Sequence, residues 1–161
     1  MENELSKKLE KYRLDIDAFL SDKAMRIIQV EGTNHFNSSF INEGFTNRSL
    51  VKWKERKKPK GLKGRALEAW EKKNAGRAIL VSHSADTKGG HLKDSISSEI
   101  SGDSVIFSSD KPYAAVHNEG LLSGRGSGFT MPQRQFIGPS EVLENQIIDK
   151  LTKEIINIFN F

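Results

Sequence analysis

Asp94-Ser95-Ile96-Ser97-Ser98-Glu99-Ile100-Ser101-Gly102-Asp103-Ser104-Val105-Ile106-Phe107-Ser108-Ser109 carries the clearest β signature in the chain. Ile96, Ser98 and Ile100 share one face of an extended segment, Ser101-Gly102-Asp103 turns it, and Val105 and Phe107 resume the alternation. Period-two patterning on both sides of a glycine-containing turn predicts a β-hairpin over residues 94–109.

Downstream, Pro112 suits the first turn of a short helix that ends near Gly120 and sets Tyr113 and His117 one turn apart. Leu121 to Thr130 contains Ser123-Gly124-Arg125-Gly126-Ser127-Gly128 and reads as a flexible glycine-rich loop. Met131 to Gly138 must be extended, because Pro132 holds the residue before it out of helix. A last helix is expected from about Pro139-Ser140. It carries Leu143, Ile147, Leu151, Ile155 and Phe159 at four-residue steps, opposite Glu144, Asp149, Lys150 and Lys153.

Upstream, Ala78-Ile79-Leu80-Val81 is an apolar run of strand length, followed by a polar turn over 84–90. Arg65 to Lys73, with Leu67 and Trp70, reads as a short helix, and Lys57-Lys58-Pro59-Lys60-Gly61 as a breaker. His35, Phe36, Phe40, Ile41, Phe45 and Trp53 form an aromatic-rich stretch of short turns or loop whose rings dock onto the core. Leu5, Leu9, Tyr12, Ile16, Phe19, Leu20, Ala24 and Ile27 mark one long helix running to Gly32. Its stripe begins in heptad register and slips from Phe19 to Leu20. Some 27 helical residues span about 40 Å, long for a chain of 161 residues. The helix is expected to pack along a sheet or against a neighbouring subunit. The order helix, β-meander, helix gives an α+β fold: a long N-terminal helix, an antiparallel sheet with a hairpin, and a long C-terminal amphipathic helix packed on the sheet. Residues 1–161 read as a single domain.

Charge is concentrated. Lys and Arg number 25 against 21 Asp and Glu, a net charge of +4. Between Arg48 and Arg65 lie nine cations and the single acid Glu55, a net +8 that leaves the rest of the chain at −4. Such a basic loop is either a solvated surface or a contact for an anionic partner, DNA or an acidic protein, through Lys52, Lys54, Arg56, Lys57, Lys58 and Lys60. The chain has no cysteine, which excludes disulfides, thiolate metal sites and cysteine catalysis. Neither a secretory leader nor a run of the ~20 apolar residues that a membrane span needs is written in it. Synthesis in the cytosol is expected.

Catalytic patterns fail one by one. His35, His83, His91 and His117 are never three to five residues apart, and there is no HExxH. Ser82-His83-Ser84 sets hydroxyls beside an imidazole, but strand neighbours point to opposite faces. Gly124 to Gly128 lacks the Lys-Ser/Thr pair of a phosphate-binding loop, and Met131-Pro132 follows where a helix should begin. No enzyme, cofactor or metal is expected.

Three segments nevertheless recur in a fixed order: Gly89-Gly90-His91-Leu92-Lys93-Asp94-Ser95-Ile96, then Tyr113-Ala114-Ala115-Val116-His117-Asn118-Glu119-Gly120, then Met131-Pro132-Gln133-Arg134-Gln135-Phe136-Ile137-Gly138. Together with the final helix they resemble the tailed-phage virion morphogenesis, or tail completion, family over about residues 79–159. Gln133 and Gln135 depart from the proline or small residue that often flanks the family's arginine. The resemblance implies a structural protein of the virion tail or neck, assembled in the host bacterial cytoplasm. It further implies a ring-like homo-oligomer that joins the tail tube to neck and head-completion proteins. The positions it marks are Tyr113, His117, Gly120, Pro132, Arg134, Phe136 and Gly138. Tyr113 and His117 are expected to brace the short helix, Pro132 and Phe136 to pin the extended segment, and Arg134 to pair with a carboxylate or a backbone carbonyl. The alternative is a small basic nucleic-acid-binding protein that uses Arg48 to Arg65, with weak nonspecific DNA contact as a lesser role. No membrane contact is expected.

Overall fold

The computed structural model describes residues 3–81 and 90–159. Helix runs without a break from Glu4 to Ile41, as α1 (Glu4–Ala18), a π-helical turn (Phe19–Ala24) and α2 (Met25–Ile41). Asn3 caps its start by accepting a hydrogen bond from the Leu5 backbone N–H at 3.4 Å. The helix spans about 57 Å at 1.5 Å per residue. The π-turn lies where the apolar stripe slips. Hydrogen bonds that reach one residue further accommodate an extra residue, so Phe19 and Ala24, five apart, are both buried.

Gly32 does not end this helix. A Cβ there would overlap the ring of Phe107, so glycine serves close approach of helix and hairpin rather than termination. Phe36 and Phe40 therefore sit on α2 and are buried, whereas Ile41, grouped with them by the sequence, is 83 % exposed.

Among the described residues the β structure is divided among three antiparallel ribbons: β1 (Gly44–Thr46) with β2 (Leu50–Lys52), β3 (Ile96–Ser101) with β4 (Ser104–Ser109), and β5 (Leu122–Ser123) with β6 (Phe129–Thr130). The 94–109 hairpin is present, in register from Ile96↔Ser109 to Ser101↔Ser104. It lies against α2, where Gln29 Nε2 donates to the Ser98 carbonyl (3.1 Å) and the Thr33 and Ser98 hydroxyls meet at 3.2 Å.

Ala78 to Val81 is not a strand. Leu80 takes a φ of +62°, and the carbonyls of Arg77, Ala78 and Val81 accept from guanidinium groups of Arg56 and Arg77 rather than from a neighbouring strand. Ile79 is buried, and its N–H donates to Glu43 Oε1 at 2.6 Å. The Ser82-His83-Ser84 triplet and most of the turn read over 84–90 lie outside the described residues.

Two of the expected loops carry structure. Within 48–65, Leu50–Lys52 forms β2 and Trp53 enters the core, leaving 53–63 irregular before α3 (Gly64–Asn74). The 121–130 loop is closed at its base, because Leu122 pairs with Thr130 and Met131 N–H donates to the Leu121 carbonyl at 3.0 Å. Its glycines turn the tip.

After β4 comes α4 (Ala114–Glu119), then the extended 131–138 and α5 (Glu141–Phe159). Among the described residues two clusters make the core. Phe40, Trp53, Ile79, Leu92, Ala114 and Phe136 form one, with Phe40 and Trp53 edge to face at 5.5 Å. Phe36, Phe45 and Leu143 form the other, with Phe107 and Ile147 packed onto them. Helix α5 runs along the long N-terminal helix, and the Tyr12 and Phe159 rings meet at 4.9 Å. Among the described residues no helix is long and apolar enough to cross a membrane.

Candidate functional site

The segments singled out in the sequence converge on α4 and the extended 131–138. Helix α4 ends at Gly120, which adopts φ +71°, and a Cβ there would crowd the Gln133 backbone at 3.0 Å. The chain then turns through the β5–β6 ribbon and returns alongside α4. Arg134 N–H donates to the His117 carbonyl at 2.8 Å, and Phe136 and Ile137 N–H both donate to Asn118 Oδ1, at 2.9 and 3.0 Å.

Arg134 is 7 % exposed, and two of its guanidinium nitrogens are held by backbone: Nε donates to the Lys54 carbonyl at 3.0 Å and Nη2 to that of Glu55 at 3.2 Å. Of the two acceptor types expected for it, these are backbone carbonyls. Phe136, 1 % exposed, wedges beside Phe40 with ring centroids 5.2 Å apart, and the Gln135 carbonyl accepts from Trp53 Nε1 at 2.7 Å. Pro132 is half-buried, and the space of a Cβ at Gly138 is filled by the Gln135 carboxamide. Tyr113 is 42 % exposed and meets the His117 ring edge-on at 6.1 Å. Ala114, in the core, and Asn118 also fasten α4.

The basic residues fall into two groups. Arg48 pairs with Glu141 (2.5 Å), Lys58 with Glu71 (2.5 Å), and Lys52 Nζ donates to the Asn42 carbonyl (2.6 Å). Arg56 donates to the carbonyls of Arg77 (3.0 Å), Ala78 and Val81 (3.2 Å). These four make contacts within the chain, with Arg48, Lys52 and Lys58 remaining exposed. Lys54, Lys57 and Lys60 are exposed and have no ion-pair partner among the described residues.

Arg56, Arg77 and Arg134 line a pocket of about 270 Å³ that His117 and Tyr113 also enter. Burial pulls the Arg56 guanidinium below its ordinary pKa, Arg77 and Arg134 add to the effect, and Glu43 opposes it. Burial alone lowers Arg134. Burial, then the charge of Arg134, lowers His117, whose Nδ1 is enclosed and has no hydrogen-bond partner among the described residues. The arrangement is suited to holding an anion. Among the described residues no group of three or more His, Asp and Glu is placed to hold a metal ion.

The sequence left Asn118, Glu43 and Arg77 unmarked. Asn118 stands inside a quoted segment, and its type, a donor and an acceptor on one short side chain, was the available signal.

The family model described as the phage virion morphogenesis family matches residues 51–155, about two-thirds of the chain. The match takes in α3, the hairpin, α4, the extended segment and most of α5. No curated protein and no solved structure matches the chain.

Proposed function

From the premise that the chain belongs to the phage virion morphogenesis family, we propose that it is a structural protein, not an enzyme, that completes the tail and joins it to the head or neck as a ring of subunits. The observation that carries this reading is α1. None of its residues is buried, and Leu5 and Leu9, two turns and one turn before Tyr12, are 60 % and 59 % exposed. A helix of about ten turns whose first third has apolar side chains without cover is suited to a contact between subunits. Rings close such contacts symmetrically. The motif residues support the same role differently. Asn118, Arg134 and Phe136 bind α4, residues 53–55 and the extended segment into one frame that holds surface elements in place.

Light scattering over a wide concentration range, alone and with the cognate tail-tube protein, tests the proposal. An oligomer of defined mass in either condition is expected; a strict monomer in both sinks it.

A second reading, sequence-blind contact with nucleic acid, is supported by the exposed Lys54, Lys57 and Lys60. It has fewer cations to draw on than the sequence offered, because Arg48, Lys52, Arg56 and Lys58 are engaged within the protein.

A further inference from the structure

We propose that the groove between α3 and the returning strand β6 is a docking site for an acidic segment of a partner protein, with carboxylates against its cations and an apolar side chain against Trp70 and Phe129. The groove encloses about 680 Å³. Arg56, Lys57, Lys73, Arg77 and Arg134 reach it, and among the described residues no Asp or Glu lines it. Arg56, Lys57, Lys73 and Arg134 alone bring four like charges to one concavity, and a bound anion relieves their repulsion. The cations are also graded in depth. Arg134 is buried and Arg56 half-buried, both fixed by backbone carbonyls, whereas Lys57 and Lys73 stand exposed at the mouth with no ion-pair partner among the described residues. Fixed guanidiniums below mobile ammoniums suit a carboxylate that enters and is then oriented.

The apolar part selects among anions. Phe129 is 56 % exposed and Trp70 half-buried, and Met131 and Pro132 continue that wall. An inorganic ion gains nothing from such a wall, whereas a peptide that alternates acid and apolar residues uses both parts. The groove is bounded by an 11-residue helix and a two-residue strand. Lys54 and Lys60, which a nucleic-acid backbone would be expected to follow, are not among its lining residues. The inference concerns what the groove binds and holds whatever the subunit number.

The test is fluorescence anisotropy of a labelled Glu-Asp-Phe-Glu-Asp-Leu peptide with the full chain. The same peptide with Gln and Asn replacing the acids, and a ten-base oligo(dT), serve as competitors. The acidic peptide should bind in a salt-sensitive way. Lys57→Glu with Lys73→Glu should weaken it by about tenfold or more and Phe129→Ala by about fivefold, while Lys93→Glu, outside the groove, leaves it unchanged and thermal melting shows all variants folded. The proposal is overturned by absence of binding at millimolar peptide, by equal binding of the amide peptide, by full binding in the folded double-lysine variant, or by tighter binding of oligo(dT). None of these results bears on whether the protein assembles into a ring, so the two readings fail separately.

Discussion

Asn118 holds Ile137 from both sides: its Oδ1 accepts from the Ile137 N–H and its Nδ2 donates to the Ile137 carbonyl, each at 3.0 Å. A single side chain thus pairs with backbone as a strand would, and Oδ1 also takes the Phe136 N–H. Asn118→Ala leaves those two N–H groups without this acceptor, so a loss of about 2–4 kcal/mol is expected from the usual cost of unpaired donors. Urea unfolding measures it. A loss under about 0.5 kcal/mol, the range of an ordinary surface change, would mean that Arg134, Phe136 and the Gln135 carbonyl hold the extended segment without help from Asn118.

Gly32 and Phe107 form a second testable pair. Gly32→Ala should destabilise by about 1–3 kcal/mol, as overpacking does, although Ala favours a helix by about 1 kcal/mol. With Phe107→Val in the background the clash is removed, and Gly32→Ala should become neutral or stabilising. A double-mutant cycle with no coupling would contradict the close approach.

These two pairs show what the sequence made legible. The hairpin was readable because alternation and a glycine turn are local signals, and α5 because its stripe repeats every four residues. Gly32 reads as a stop because the ring that demands it lies 75 positions away. Ala78 to Val81 read as a strand because it is apolar, but its carbonyls are claimed by Arg56 and Arg77, which no local pattern reveals. The slip at Phe19–Leu20 was visible, though not its π-helical cause. At the candidate site, the resemblance marked Arg134 and Phe136, both of which are buried and interlocked. Asn118 stayed hidden because its partners are 18 and 19 residues away.

The basic run should divide under mutation. Arg56→Gln removes donors to three carbonyls of the 77–81 turn and should cost about 2–4 kcal/mol, in line with hydrogen bonds to charged groups. Lys54→Gln with Lys60→Gln should stay within about 0.5 kcal/mol. Thermal denaturation of the two variants side by side checks this, and equal stability would remove the distinction between internal and exposed cations.

His117 makes stability depend on pH. Its folded pKa is depressed by burial and by Arg134, so the unfolded chain binds the proton more readily. Stability contributed by the neutral ring is present above the unfolded value of about 6.5 and is lost as pH falls through it toward the folded value. Protonation would also put an enclosed N–H on Nδ1, which has no acceptor among the described residues. Unfolding free energy should therefore decline between pH 7 and pH 5, and His117→Gln should flatten that decline. An unchanged slope in the variant would assign it to other groups.

The most direct measurement is electron microscopy of particles made when the gene for this chain is inactivated in its phage. Filled heads and tails lying separate are expected, with joining restored by the wild-type chain supplied in trans. Complete, infectious virions formed at normal yield without the chain would contradict a joining role.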